Sequence, residues 1–119
     1  MAPTGFLVSG EATMPRFLII ASYSAEGMRG VIAHGGTARQ EAVEKMVSDL
    51  GGTVESFYFA FGEGDAYVTA ELPDNTTAAA IGMRVAASGL VSCRTVVLLT
   101  PAEIDRAAQT SVGYQAPQA

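Results

Sequence analysis

The sequence predicts an α+β fold of the ferredoxin-like kind, βαββαβ, with an antiparallel sheet in the order 4-1-3-2. Four runs rich in β-branched and aromatic residues alternate with segments of helical periodicity. The second and third runs are joined by Gly62-Glu63-Gly64-Asp65, a link with the length and the glycines of a hairpin. The other links are long enough for helical crossovers, which run right-handed and place both helices on one face of the sheet. At 119 residues the chain has room for one domain. Its 49% hydrophobic and 16% charged residues are enough apolar side chain for a packed core.

Arg16 to Tyr23 (RFLIIASY) reads as a buried first strand, bounded by Pro15 and Ser24. Ser24 suits an N-cap, with Glu26 in the favourable first turn and Met28, Val31 and Ile32 at helical spacing. Gly35-Gly36 interrupts this helix. Thr37 and Gln40 have capping-box spacing before a second helix with Val43, Met46, Val47 and Leu50 on one face, so the two helical pieces form one kinked crossover. Gly51-Gly52 closes it, and Thr53 to Phe61 and Ala66 to Leu72 supply strands two and three. Asp74 and Asn75 offer caps to a slim, Ala-rich helix running to about Ala87, with Ala78, Ile81 and Val85 on one side. Gly89 ends it before strand four, Val91 to Thr100. Thr100, Pro101 and Glu103 then form a capping box that opens a short helix to about Ala108. The domain is thus expected over residues 15–108, with a flexible extension at 1–14 and a loose tail at 109–119.

Several function classes fall away on composition. Seven Lys and Arg against twelve Asp and Glu give a net charge of −5, so nucleic acid and anionic membrane are not expected partners. No run approaches the roughly 20 apolar residues of a membrane helix. A single cysteine, Cys93, can form neither an internal disulfide nor a multi-thiolate metal site, which together with the absence of a signal-like start points to the cytoplasm. Helices on one face leave the other face of the sheet open. Alternation groups Phe17, Ile19, Ala21 and Tyr23 on one face of the first strand, the candidate for the open side, without fixing the parity of any strand. An apolar face of that kind calls for a second subunit, so a homodimer or higher oligomer is expected.

The residues from about 15 to 105 resemble the GYD domain family. The resemblance rests on Tyr23-Ser24-x-x-Gly27, Leu50-Gly51-Gly52, Phe57-Tyr58 followed by Gly62-x-x-Asp65, Glu71-x-Pro73-Asp74, and Arg94-Thr95 with Thr100-Pro101-x-Glu103. Gly64 stands where the family's loop carries a tyrosine, with Tyr67 close by on strand three. The resemblance implies a place in the dimeric α/β-barrel superfamily and an oligomeric habit, and brings no agreed activity. Related barrels handle haem, but His34 is the only histidine and a lone axial ligand; neither a cofactor nor a metal is expected.

No set of nucleophile, base and orienting group stands out, and the glycines match no nucleotide-binding spacing. His34, at the end of the first helical piece, suits proton transfer near neutral pH or interaction with the helix dipole. Asp65 closes the hairpin loop, where its carboxylate either accepts loop amide hydrogen bonds or acts as a base at the rim of the open face. Glu55, Glu71 and Arg94 are charged residues within strands. Glu71 with Arg94 makes a plausible ion pair, and the Arg94 guanidinium could instead hold an anionic ligand beside the hydroxyls of Tyr23 and Tyr67. Cys93 reads as a small buried residue, and Phe57, Tyr58, Phe59 and Phe61 as core or subunit packing.

The reading that follows is a small-ligand binding protein. Its cup lies between the open sheet face and the first helix, with Tyr23, Tyr67 and Arg94 as ligand contacts. Two alternatives stand beside it: a cofactor-independent oxygenase or isomerase using His34 or Asp65 as proton acceptor, and a structural or regulatory oligomer without a cavity.

Overall fold

Pro15 leads into β1 (Arg16–Tyr23), the most apolar strand of the chain. This computed structural model describes residues 14–118, so the extension expected at 1–14 lies outside the described residues except for Met14. α1 (Ala25–His34) starts as expected at Ser24, whose hydroxyl accepts a hydrogen bond from the Gly27 amide at 3.1 Å. Gly35, at φ +89°, is both the last cap of α1 and the first cap of α2 (Gly36–Asp49). Its amide donates to Val31 O at 2.7 Å and its carbonyl accepts from Arg39 N at 3.4 Å. That left-handed φ suits glycine and turns the chain between the two helices. The capping box expected from Thr37 and Gln40 does not form. Because Gly35 takes the cap position, Thr37 is already inside α2, and Gln40 Nε2 donates to Glu44 Oε2 at 3.3 Å.

After α2, β2 (Thr53–Phe59) and β3 (Ala66–Glu71) form the hairpin, and α3 (Asn75–Ala87) starts at the Asp74 cap. β4 (Val91–Leu98) and α4 (Pro101–Gln109) complete the described chain, with the Thr100–Glu103 capping box in place. The four strands make one sheet, β2-β3-β1-β4, in which every neighbouring pair is antiparallel. Each sequence element occurs within about two residues of its expected bounds, because its caps and breakers are local.

The core decides which way the strands face. Phe17 and Ile19 of β1, Val68 and Ala70 of β3, Val47 of α2, and Ala78 and Ile81 of α3 share one buried cluster. The side of β1 carrying Phe17, Ile19 and Ala21 is therefore the helix-covered side, a correction to its candidacy for the open face. β1 is apolar on both sides, and the set that stays uncovered is the one containing Arg16 and Ser22, which water or an ion pair can satisfy. The open face shows Arg16, Leu18 and Ile20 of β1, opposite Glu71, Thr69 and Tyr67 of β3 and Leu98, Val96 and Arg94 of β4. On β2 a bulge between Val54 and Ser56 lets Glu55 reach the same face.

α4 buries none of its residues, and its Ile104 is half exposed. Residues 111–118 beyond it carry no helix or strand and are exposed. No helix among the described residues is long and apolar enough to cross a membrane.

The cap of α3 makes a pH prediction. Asp74 Oδ1 accepts from the Thr77 amide and the Thr77 hydroxyl, both at 2.8 Å, and the amide bond foremost holds the carboxyl below its ordinary value. A carboxyl lowered in the folded state contributes stability above its unfolded pKa and loses it as pH falls through its folded pKa. Asp74→Ala should therefore lower the melting temperature at pH 7, and the gap to wild type should narrow progressively in acid. Asp74→Asn, an equally good cap, should melt near wild type at neutral pH.

Candidate functional site

The kink at Gly35 opens α1 and α2 like a hinge over the β1–β4 end of the sheet. Between them lies a cleft of about 380 Å³, within the size range of small-molecule sites. Small residues make the room: Gly27 and Gly30 on α1, Ala38 and Ala42 on α2. Gly27 has a second reason to lack a side chain, because a Cβ there would collide with the Leu90 carbonyl. That same carbonyl accepts from Ser24 N at 2.9 Å and from the Ser24 hydroxyl at 3.2 Å, locking the start of α1 onto the chain before β4. A second cavity of about 40 Å³ lies between the sheet and the α2 and α3 side chains and shares Tyr23, Arg39 and Val91 with the cleft.

Tyr23 and His34 both line the cleft, and these two of the expected site residues are brought together. Asp65 acts on the same strand from outside it: Asp65 Oδ2 accepts from the Tyr23 amide at 2.8 Å, while Asp65 N donates to Ala21 O at 2.8 Å. Its carboxylate pins the end of β1 through a strand amide 42 residues away, in place of the loop amides expected from the sequence. Tyr67 and Arg94 sit on the other side of the sheet. They lie opposite Ile20 in the register, with Tyr58 beyond Tyr67, and form one row across the open face. Tyr23 therefore does not meet Tyr67 and Arg94 in one cup, and α1 belongs to the helix-covered side, away from the open face.

The expected Glu71–Arg94 pair is absent. Glu71 Oε2 accepts from Arg16 Nη2 at 2.7 Å, and Arg16 also grips both oxygens of Glu55, at 2.7 and 2.9 Å. The register explains it: Glu71 is opposite Arg16, whereas Arg94 is opposite Ile20, four residues or about 13 Å farther along β1. Gly64 presses on Ile20, and a Cβ there would also come within 3.3 Å of the Tyr67 ring. The aromatic run divides by alternation. Phe57 and Phe59 meet edge to face at 5.3 Å on the helix side, while Tyr58 is exposed on the other.

Arg39 is the residue that motif reasoning overlooked. It lines both cavities, and its Nε is buried with no hydrogen-bond partner. The signal was present in the periodicity: positions 39, 43, 46 and 47 form the inward stripe of α2, with Arg39 its charged member, while Leu50, expected on the same face, is the exposed residue that caps the helix. Near it Cys93 is half-buried in the core; burial pushes its thiol up, and the Arg39 charge acts in the opposite direction. Among the described residues no three His, Cys, Asp or Glu side chains converge as a metal site.

The GYD domain family model matches residues 17–108, and the chain belongs to that family. No curated protein and no solved structure matches it.

The raised thiol predicts slow chemistry at Cys93. Alkylation by iodoacetamide at pH 8 should be slower than that of free cysteine, and Arg39→Gln should slow it further by removing the nearby positive charge. A faster reaction in Arg39→Gln would show that the guanidinium shields the thiol sterically instead.

Proposed function

We propose that this GYD-domain protein binds a small, partly apolar ligand in the α1–α2 cleft and works as a homodimer or higher oligomer joined through its open sheet face. The cleft carries the first half of the reading: a space of about 380 Å³ with largely apolar walls, framed by small residues, among them Gly27 held against the Leu90 carbonyl, and touched by a few polar groups. Tyr23 would offer its hydroxyl and His34 a ring nitrogen at the wall, with Asp65 as the residue that positions Tyr23. His34 is also what favours a second reading, proton transfer to or from a ligand in the same cleft, as in a cofactor-independent oxygenase or isomerase.

The uncovered apolar side chains support the second half. Tyr58 is 71% and Val96 43% exposed on the open face, beside the part-exposed Leu18, whereas Ile20 in the same face is already buried within the chain. A second copy laid on that face, sheet against sheet, would close a ferredoxin-like dimeric barrel and remove these side chains from water at about 25 cal/mol per Å². Tyr67 and Arg94 would then be interface residues.

Each half has its own test. In native mass spectrometry the wild type should be a dimer or larger, and Val96→Lys should shift it toward monomer; a monomeric wild type overturns the interface. N-phenyl-1-naphthylamine should brighten saturably on wild type. Gly30→Leu, at a site where an added Cβ meets nothing within 4 Å, should fold at least as stably and bind the dye at least tenfold more weakly. Equal dye binding by both proteins overturns the cleft.

A further inference from the structure

We propose that Arg39 anchors the carboxylate of a small apolar carboxylic acid in the α1–α2 cleft, an inference that rests on the ligand-binding reading and names its ligand class. Arg39 occupies a core-facing position of α2, where a cation is costly unless something complements it. Nothing in the chain does so among the described residues. The ion pairs are Arg16 with Glu55 and Glu71, and Lys45 with Asp49, and the Arg39 Nε–H is buried without an acceptor.

The missing partner has a definite shape. The guanidinium edge formed by Nε–H and one Nη–H presents two parallel donors, which match the two oxygens of a carboxylate. Lysine would offer only a point charge. The rest of the cleft suits an uncharged body, with Val31, Ala38, Ala42, Leu90 and Val91 along its walls. Glu26 lines the outer cleft but not the inner cavity, and it makes no ion pair with Arg39. Its charge disfavours a doubly charged head such as a phosphate monoester and leaves a monoanion as the fit. With a net charge of −5 the protein has no general attraction for anions, so selectivity for one would come from this residue.

Calorimetric titration of the full chain with octanoate and with octanamide, its neutral counterpart, tests the anchor. Wild type should bind octanoate at least tenfold more tightly than octanamide. Arg39→Gln should bring the two affinities to within about twofold of each other, chiefly by loss of octanoate binding, and a far-UV circular dichroism spectrum and melting curve matching wild type report that the variant is folded. Arg39→Lys, keeping the charge but not the fork, should retain only part of the preference. Should Arg39→Gln not fold, the wild-type preference and the Arg39→Lys result decide the matter. Gly30→Leu should weaken both ligands. Equal binding of the two ligands by wild type, both weakened by Gly30→Leu, would overturn the anchor and leave the cleft standing. Octanamide binding without octanoate binding would overturn the anchor alone, whereas absence of binding by both ligands, or binding indifferent to Gly30→Leu, would overturn the cleft and the anchor together.

Discussion

Phe17 and Ile19, on the inner side of β1, hold the sheet to its helices, and the remaining architecture is arranged around that contact. They share one buried cluster with Val68 and Ala70 of β3, Val47 of α2 and Ile81 of α3. Burying a Phe, Ile or Val side chain fully stabilises a fold by about 1.5–3 kcal/mol, and Ala70, with one methyl, contributes less. Because β1 lies between β3 and β4, committing its odd-numbered residues to the helices commits the facing residues of both neighbours as well. Everything on the even side of β1 is thereby left for other uses.

Above that core the crossover stays open at one end for reasons of backbone geometry. A single glycine, Gly35, ends one helix and starts the next, so α1 and α2 diverge at a fixed turn. The hydrogen bonds from Ser24 to the Leu90 carbonyl hold α1 down, and the bare backbone of Gly27 permits that approach. Small residues on the facing sides of the two helices then leave space that the core does not fill. Several positions carrying the family resemblance are structural clamps of this kind. Gly52 belongs with them, since a Cβ there would strike the Glu71 carbonyl.

Charge is divided between the two sides of the sheet. On the open side Arg16 is shared by Glu55 and Glu71 in a three-residue network that is about one-third exposed, so it fixes strand positions more than it adds stability. On the helix side Arg39 has no such partners among the described residues, and its Nε is buried without an acceptor. The contrast separates an arginine whose donors are satisfied by the fold from one whose donors are not.

What the sequence determined by itself is local. Ser24, Asp74 and Thr100 cap helices, Gly51 and Gly89 end them at positive φ, and the Gly62–Asp65 link turns a hairpin, because each of these depends on a few consecutive residues. Membership of the GYD domain family was legible for the same reason, through short motifs spread along the chain. Tertiary structure alone decided which side of β1 the helices cover, since a strand apolar on both sides carries no parity signal. It also decided that Glu71 pairs with Arg16 and that Tyr23 is parted from Tyr67 and Arg94, because both follow from register between strands distant in sequence. Arg39 lies between these cases: its place on the inward stripe of α2 is written in the periodicity. That its buried Nε finds no partner emerges only when β1, α1 and β4 close around it.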